Sequence, residues 1–448
     1  METIVPSIMP LKFKAMGASN TIMGLFITTI PGIINTICNP IISVKSDRYR
    51  SRWGRRIPFI IATMPFLLVC LLGLGFSDKI GFWLHAHFAG FLGRFSPTAV
   101  AIAIMGTCMT LFSFFNIFVN SVFWYLFNDV VPEQFLARFM SWFRMVSMGA
   151  MALYNLFVFK HADTHSAEIL IGAGILYFVG FGVMCFNVKE GQYPPPPDYE
   201  DGQTGPLAAI KAYGRECLSS SHYWYLFLAN VGIVIAYSAS MFTIFLYQSL
   251  GLTLEMAGWL AFAFNCSGAV VIPISGWLAD RYHPVRIVMV GAILQILACP
   301  IYMVWLFWQP SPQVVFYLYL ALGICLGSPI AALIAVIDPA LGMRIYPRER
   351  YGQFCSANSM LRSLGGIVAG VLVGVYLDIL TARWGARTAY CCLPFWNLSA
   401  HCLMLFSIVK LYRSWKRYGG DDAYVPPIPG TLEGKNGSPV PAARESAS

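Results

Sequence analysis

Charge is what this sequence has least of. Only 11% of its residues are Asp, Glu, Lys or Arg, against roughly 25% in a soluble domain. Water would not keep such a surface in solution; lipid would. Acids are scarcer than bases, 21 against 30. Nearly all the bases fall between apolar runs, so they read as loop charges and no nucleic-acid partner is expected. Zinc spacing is missing too. Of 12 cysteines only Cys217 lies in a clearly polar loop, and the adjacent pair Cys391–Cys392 is not a CxxC. The cysteines are small apolar packers, without a disulfide framework or a metal role. No His/Asp/Glu cluster has catalytic or metal spacing, so neither an enzyme nor a cofactor is expected. No cleavable signal peptide is visible, because the first 15 residues lack a basic n-region.

What the chain has in plenty is apolar sequence. Hydrophobic residues make up 57%, with 12 Trp, 22 Tyr and 33 Phe; amphipathic rings suit helix ends at a membrane interface. A bilayer core about 30 Å thick takes about 20 apolar residues per helix, and backbone in lipid must bond to itself. Eleven runs meet this, roughly at 19–44, 57–77, 99–126, 136–159, 168–187, 223–248, 254–279, 285–308, 313–337, 352–379 and 387–412. The segment 45–56 carries six basic residues, so the positive-inside rule places it in the cytoplasm. Alternation then puts 78–98 outside and the later basic segments inside, Arg383 and Arg387 being the main exception, and it leaves the C-terminus cytoplasmic. The expected organisation is an N-terminal bundle over 1–187, a polar linker over 188–222, a six-helix bundle over 223–415 and a disordered tail over 416–448.

The halves echo each other. Asp47-Arg48-Tyr49 recurs as Asp280-Arg281-Tyr282, and Pro132, Phe139 and Ser141 recur as Pro347, Phe354 and Ser356, the latter three at one fixed offset. Internal repeats of this kind build many transporters.

The most specific motif is the loop Ser46-Asp47-Arg48-Tyr49-Arg50-Ser51-Arg52-Trp53-Gly54-Arg55-Arg56-Ile57-Pro58. It resembles the loop between helices 2 and 3 of plant sucrose transporters and of the glycoside–pentoside–hexuronide symporters, within the major facilitator superfamily. A topogenic basic loop alone would explain the charge but not the placement of Asp, Gly and Pro. The resemblance implies a conformational latch formed by Asp47, Arg48, Gly54, Arg55 and Arg56. Arg138 is a candidate partner, and Asp280 and Arg281 form the second-half copy. Asp47 would face the start of the helix at 352, whose dipole favours an anion.

The resemblance extends to Asn35-Thr36-Ile37-Cys38-Asn39-Pro40 and to Asn120-Ser121-Val122-Phe123-Trp124. There the symporters carry the carboxylates of their coupling cation. All are Asn here, which argues against sodium coupling of the family's kind; a coupling proton or sodium ion is left open, as is facilitated diffusion. Read without the family, Asn35 and Asn39 share one helix face, and Asn116, Asn120 and Trp124 share another. Such stripes either line a cavity that bonds solute hydroxyls or hold helices together. Arg144 and Arg362 lie well inside their spans, where charge is costly and usually functional. Glu168, Glu255, Asp338 and Asp378 all lie near helix ends. Two arginines without a carboxylate at their depth would suit an anionic solute; the bland alternative has them cap carbonyls or face water.

The sequence thus points to an all-α membrane protein with the facilitator fold, two pseudo-symmetric helical bundles and eleven full spans. It would be a monomeric, multi-pass protein of the plasma or inner membrane. Its expected work is to move a small polar solute, a sugar or sugar acid, by alternating access. The rivals are an exporter of drugs or metabolites and a transport-dead sensor or scaffold. Residues 1–14 are expected to be the tail of a truncated first helix whose start lies upstream.

Overall fold

The structure, a computed structural model, describes residues 3–131, 133–190, 217–347 and 351–427, and all the secondary structure among them is helical. The chain opens with α1 (Ile4–Ala15). α2 runs over 20–48, with a π-helical turn at Leu25–Thr29. α3 (Ile57–Gly75), α4 (Ser77–His87) and α5 (Pro97–Val130) follow. α6 covers 133–161 with a second π turn at Tyr154–Val158, and α7 is Ser166–Asn187. The second half holds α8 (221–249), α9 (Leu254–Arg281) and α10 (Pro284–Tyr302). It continues with α11 (312–345), α12 (Tyr351–Cys391) and α13 (Leu393–Arg417).

Local chemistry starts and turns these helices. Proline sits in the first turn of α3, α10 and α13, where its missing N–H costs nothing. Ser19 Oγ accepts from the Ile22 amide and Thr253 Oγ1 from the Met256 amide, a standard N-cap. Among the described residues, nine helices are long and apolar enough to cross a membrane. Ten of the eleven expected runs each fall within one helical stretch, and α6 and α13 are not among the nine. The apolar run of α13 is interrupted by Asn397, Ser399, His401 and Ser407.

Three expectations change. The outer loop 78–98 is largely helical, as α4 packs along the start of α5. The run at 387–412 is divided, because α12 bends at Gly385 (φ 83°) and continues to Cys391. The tail is not disordered from 416: residues 418–427 are placed against the second bundle, where Tyr424 Oη donates to the Ile345 carbonyl and Tyr223 Oη to that of Pro427. The rest of the tail, and most of the linker (191–216), lie outside the described residues. α1 itself is a buried helix despite its two prolines, with Val5, Ile8, Met9 and Phe13 in the core. At 1.5 Å per residue it spans about 18 Å, roughly half a bilayer core.

Within the first half α3 packs on α5 and α7; within the second, α8 and α10 pack on α13, and α9 on α11. The halves meet along two seams, α2 with α12 and α6 with α9. Each seam sets a π turn of the first half against a glycine of the second. A Cβ on Gly24, next to the first π turn, would lie 1.9 Å from the Gly370 carbonyl oxygen; one on Gly258 would lie 2.3 Å from that of Asn155. No larger residue fits either place. These contacts lie at the end of the molecule where α2 begins, opposite the basic loops. There a single apolar core runs from Met9 and Met23 into Phe242, Leu246 and Trp305. A second core belongs to the second half alone.

Candidate functional site

α2 and α5 pack side by side, and their polar stripes converge. Asn35, Asn39, Asn116, Asn120 and Trp124 line one cavity of about 530 Å³, together with Ser113, Ser121 and Tyr125. The four-residue spacing puts each stripe on one face. Trp124 Nε1 donates to Asn120 Oδ1 at 3.1 Å, and Tyr125 Oη to Asn39 Oδ1 at 3.4 Å. Among the described residues, the side chains of Asn35 and Asn116 have no hydrogen-bond partner. An amide both donates and accepts, so the cavity offers paired donors and acceptors beside an indole face. None of the described residues that line it is charged.

Two expected cavity residues stand apart. Arg362 is half-buried on α12 and does not line this cavity. The side chain of Arg144 lies outside the described residues, as do those of Asp47, Arg48, Arg138 and Asp280.

The rest of the basic loop forms an anion cradle. Gly54 adopts φ 101°, a conformation open to glycine. The turn aims three successive amides at one carboxylate. Arg55 N donates to Glu190 Oε2 at 2.8 Å, while Arg56 N and Ile57 N donate to Oε1 at 2.9 and 2.7 Å. Free amides and the helix dipole favour an anion at the start of α3, and Glu190, three residues past α7, supplies it. Arg56 is buried; its guanidinium donates to Ser46 Oγ and stacks over the Tyr125 ring at 5.0 Å. Tyr125 bonds Asn39, so the loop is connected to the cavity wall through one aromatic side chain.

The second half repeats the arrangement with other residues. Arg281 stacks on Trp277 at 5.4 Å. Arg286, at the start of α10, pairs with Asp421, four residues past α13. His283 stacks on Trp415 with ring centroids 4.3 Å apart. Burial, then Arg344 and Arg286, push its imidazole down to about 4, while Asp421 opposes them. In each half, then, a carboxylate just past the last helix, α7 or α13, holds the start of α3 or of α10. The sequence reading missed Glu190, Asp421 and Tyr125. The first two had one signal only, an acid soon after a span.

Among described residues, no cluster of three or more His, Cys, Asp or Glu is placed to hold a metal. The family model described as Major Facilitator Superfamily matches residues 1–370. The uncharacterized MFS-type transporter YhcA of Bacillus subtilis (strain 168) is 24% identical over 328 residues, covering 66% of this chain. The chain spans 59% of the length of that relative. Among solved structures, a bacterial homologue of the iron transporter ferroportin in an inward-facing state superposes with a TM-score of 0.62 at 15% identity, covering 92% of this chain and 94% of that one. A bacterial homolog of the human lysosomal transporter Spinster, inward-facing and unoccupied, gives 0.61 at 12%, covering 92% and 94%. The D-xylose–proton symporter gives 0.60 at 13%, covering 92% and 93%. At these identities the likeness is one of fold.

Proposed function

The chain belongs to the Major Facilitator Superfamily, and from that premise we propose that it is a secondary transporter moving a small, neutral, polyhydroxylated solute such as a sugar by alternating access. The observation that carries this reading is the single cavity holding both asparagine stripes. Sugar hydroxyls both donate and accept, as amides do, and a Trp face suits the C–H side of a sugar ring. The loop motif and the Asn-Pro and Phe-Trp segments favour the glycoside–pentoside–hexuronide and sucrose branch. The absence of charge among the described lining residues favours a neutral sugar over a sugar acid. Asn35, Asn39 and Asn120 cannot supply a carboxylate to a cation, so coupling does not run through a sodium site of the family's kind. Membership of the family sets the chain among transporters and not enzymes. With both seams in contact at the end opposite the basic loops, and those loops cytoplasmic by charge, the outer side is the closed one.

A thermal-shift screen of the purified protein tests the solute class, since a ligand that binds only the folded state raises its stability. Neutral sugars are expected to stabilise it, and the effect at a given sugar concentration should shrink in Asn116→Ala. Stabilisation by uronates alone would overturn the neutral reading. Stabilisation by apolar drugs alone would favour the exporter.

A further inference from the structure

At the closed end, one carboxylate of the second bundle holds the first turn of a helix of the first. Asp378, about two turns before α12 bends at Gly385, accepts four hydrogen bonds from α2. The Asn20 amide and Asn20 Nδ2 donate to Oδ1 at 2.9 and 2.8 Å; the Thr21 amide and Thr21 Oγ1 donate to Oδ2 at 2.9 and 2.6 Å. Asn20 is 1% exposed, so water is largely kept from its bonds. Its Oδ1 accepts from Tyr390 Oη at 2.9 Å, and that hydroxyl accepts from Lys14 Nζ at 2.8 Å. Lys14 in turn lies over the rings of Tyr390 and Phe245, 5.4 and 5.7 Å from their centroids. Lys14, Asn20 and Thr21 belong to the first bundle; Phe245, Asp378 and Tyr390 belong to the second. Every contact named here therefore crosses the interface.

We propose that Asp378 is the outer latch of the transport cycle: its carboxylate, by capping α2, holds the bundles together on the closed side and must let go for that side to open. This rests on the alternating-access reading above. The carboxylate suits the role because an ionised group accepts at both oxygens, and the first turn of α2 presents only donors to it. The backbones behind it nearly touch at Gly24 and Gly370, so α2 and α12 cannot part at this end while the cap is in place. α2 and α12 run antiparallel, and α2 carries its own acid, Asp47, at its opposite end. A latch at Asp378 would thus stabilise the inward-facing state, as the motif acid would stabilise the outward-facing one.

Hydrogen–deuterium exchange on the full chain in lipid nanodiscs tests this without knowledge of the solute. In Asp378→Asn an NH₂ group replaces one acceptor oxygen and faces donors. Exchange over 20–32 is expected to rise about tenfold, in line with loss of charge-assisted bonds. The decisive region is the other seam, at 154–162 and 254–260, which Asp378 does not touch. A rigid-body opening exposes both seams, so both should rise together, while the second-bundle core at 223–233 stays protected. Tyr390→Phe keeps the packing and removes only the hydroxyl; both seams should rise there by about threefold. A rise confined to the first turn of α2, or none at either seam, would overturn the latch and make Asp378 a local cap. Concerted opening in a protein that binds no sugar would keep the latch and overturn the solute reading instead.

Discussion

The two ends of the molecule spend their charges differently. At the basic-loop end the described carboxylates work inside a bundle. Glu190 holds the start of α3 beside its own α7, and Asp421 pairs with Arg286 of its own bundle. At the opposite end Asp78 pairs with Lys12 inside the first bundle, but Asp378 works between bundles, as it reaches from α12 to cap α2. The first arrangement makes each bundle rigid. The second decides whether the two rigid bodies are together or apart. A bundle that must rock needs both, and a mutation at one end should read out differently from one at the other.

The largest effect is expected at the seam itself. Gly370→Val adds bulk where a Cβ would already lie 2.8 Å from Thr28 Cβ. The closed end could not re-form, and uptake by proteoliposomes should fall at least tenfold, by roughly 1.4 kcal/mol or more of lost closure. Uptake near the parent level would mean that the seam is not part of the cycle. Next comes Glu190→Gln, which leaves three amides facing a neutral group. Thermal unfolding should show a loss of about 1–3 kcal/mol. Exchange should rise only near 54–60 and leave both seams unchanged, which separates it from Asp378→Asn. Asp47→Asn should act in the opposite sense to Asp378→Asn, because it removes a charge expected to face a helix start in the other state. Such a charge is worth about 0.3–2 kcal/mol, so transport should drop several-fold while membrane insertion is kept. Unchanged transport would make the motif topogenic only.

The smallest effect belongs to His283. Its folded value of about 4 lies below the usual 6.5, so between those values the unfolded chain binds a proton that the folded chain does not. Stability is therefore present above pH 6.5 and is lost as pH falls toward 4. His283→Asn should flatten that part of a stability–pH curve, with Arg344, Arg286 and Asp421 still in place. An unaltered curve would show that the imidazole is not held neutral by its surroundings.

Much of this was legible in the sequence, for reasons that differ by feature. The apolar runs mark helices because lipid leaves the backbone no other partner. The Asn stripes were readable because four-residue spacing is local, and they do converge on one cavity. Gly54 stands out within the loop motif, but the carboxylate that its turn receives, Glu190, lies 135 residues from Arg55, and no period connects them. Asp378 had looked like an acid at a helix end, near water; its partners on α2 lie 358 residues away. The depth of Arg362 within its span does not say which way its helix face points. The early part of the tail looked disordered by composition, yet Tyr424 gives it an anchor that composition cannot register.

Counterflow in proteoliposomes tests the central claim most directly. Vesicles holding purified protein are loaded with unlabelled glucose and offered labelled glucose, with excess unlabelled glucose or glucuronate as competitor, for the parent and for Asn116→Ala. The account predicts protein-dependent uptake that glucose suppresses and glucuronate does not. It further predicts that Asn116→Ala raises the half-saturation concentration by about two- to tenfold, the worth of one hydrogen bond, with membrane content unchanged. Suppression by glucuronate in preference to glucose, or a half-saturation concentration that Asn116→Ala leaves unmoved, would contradict it.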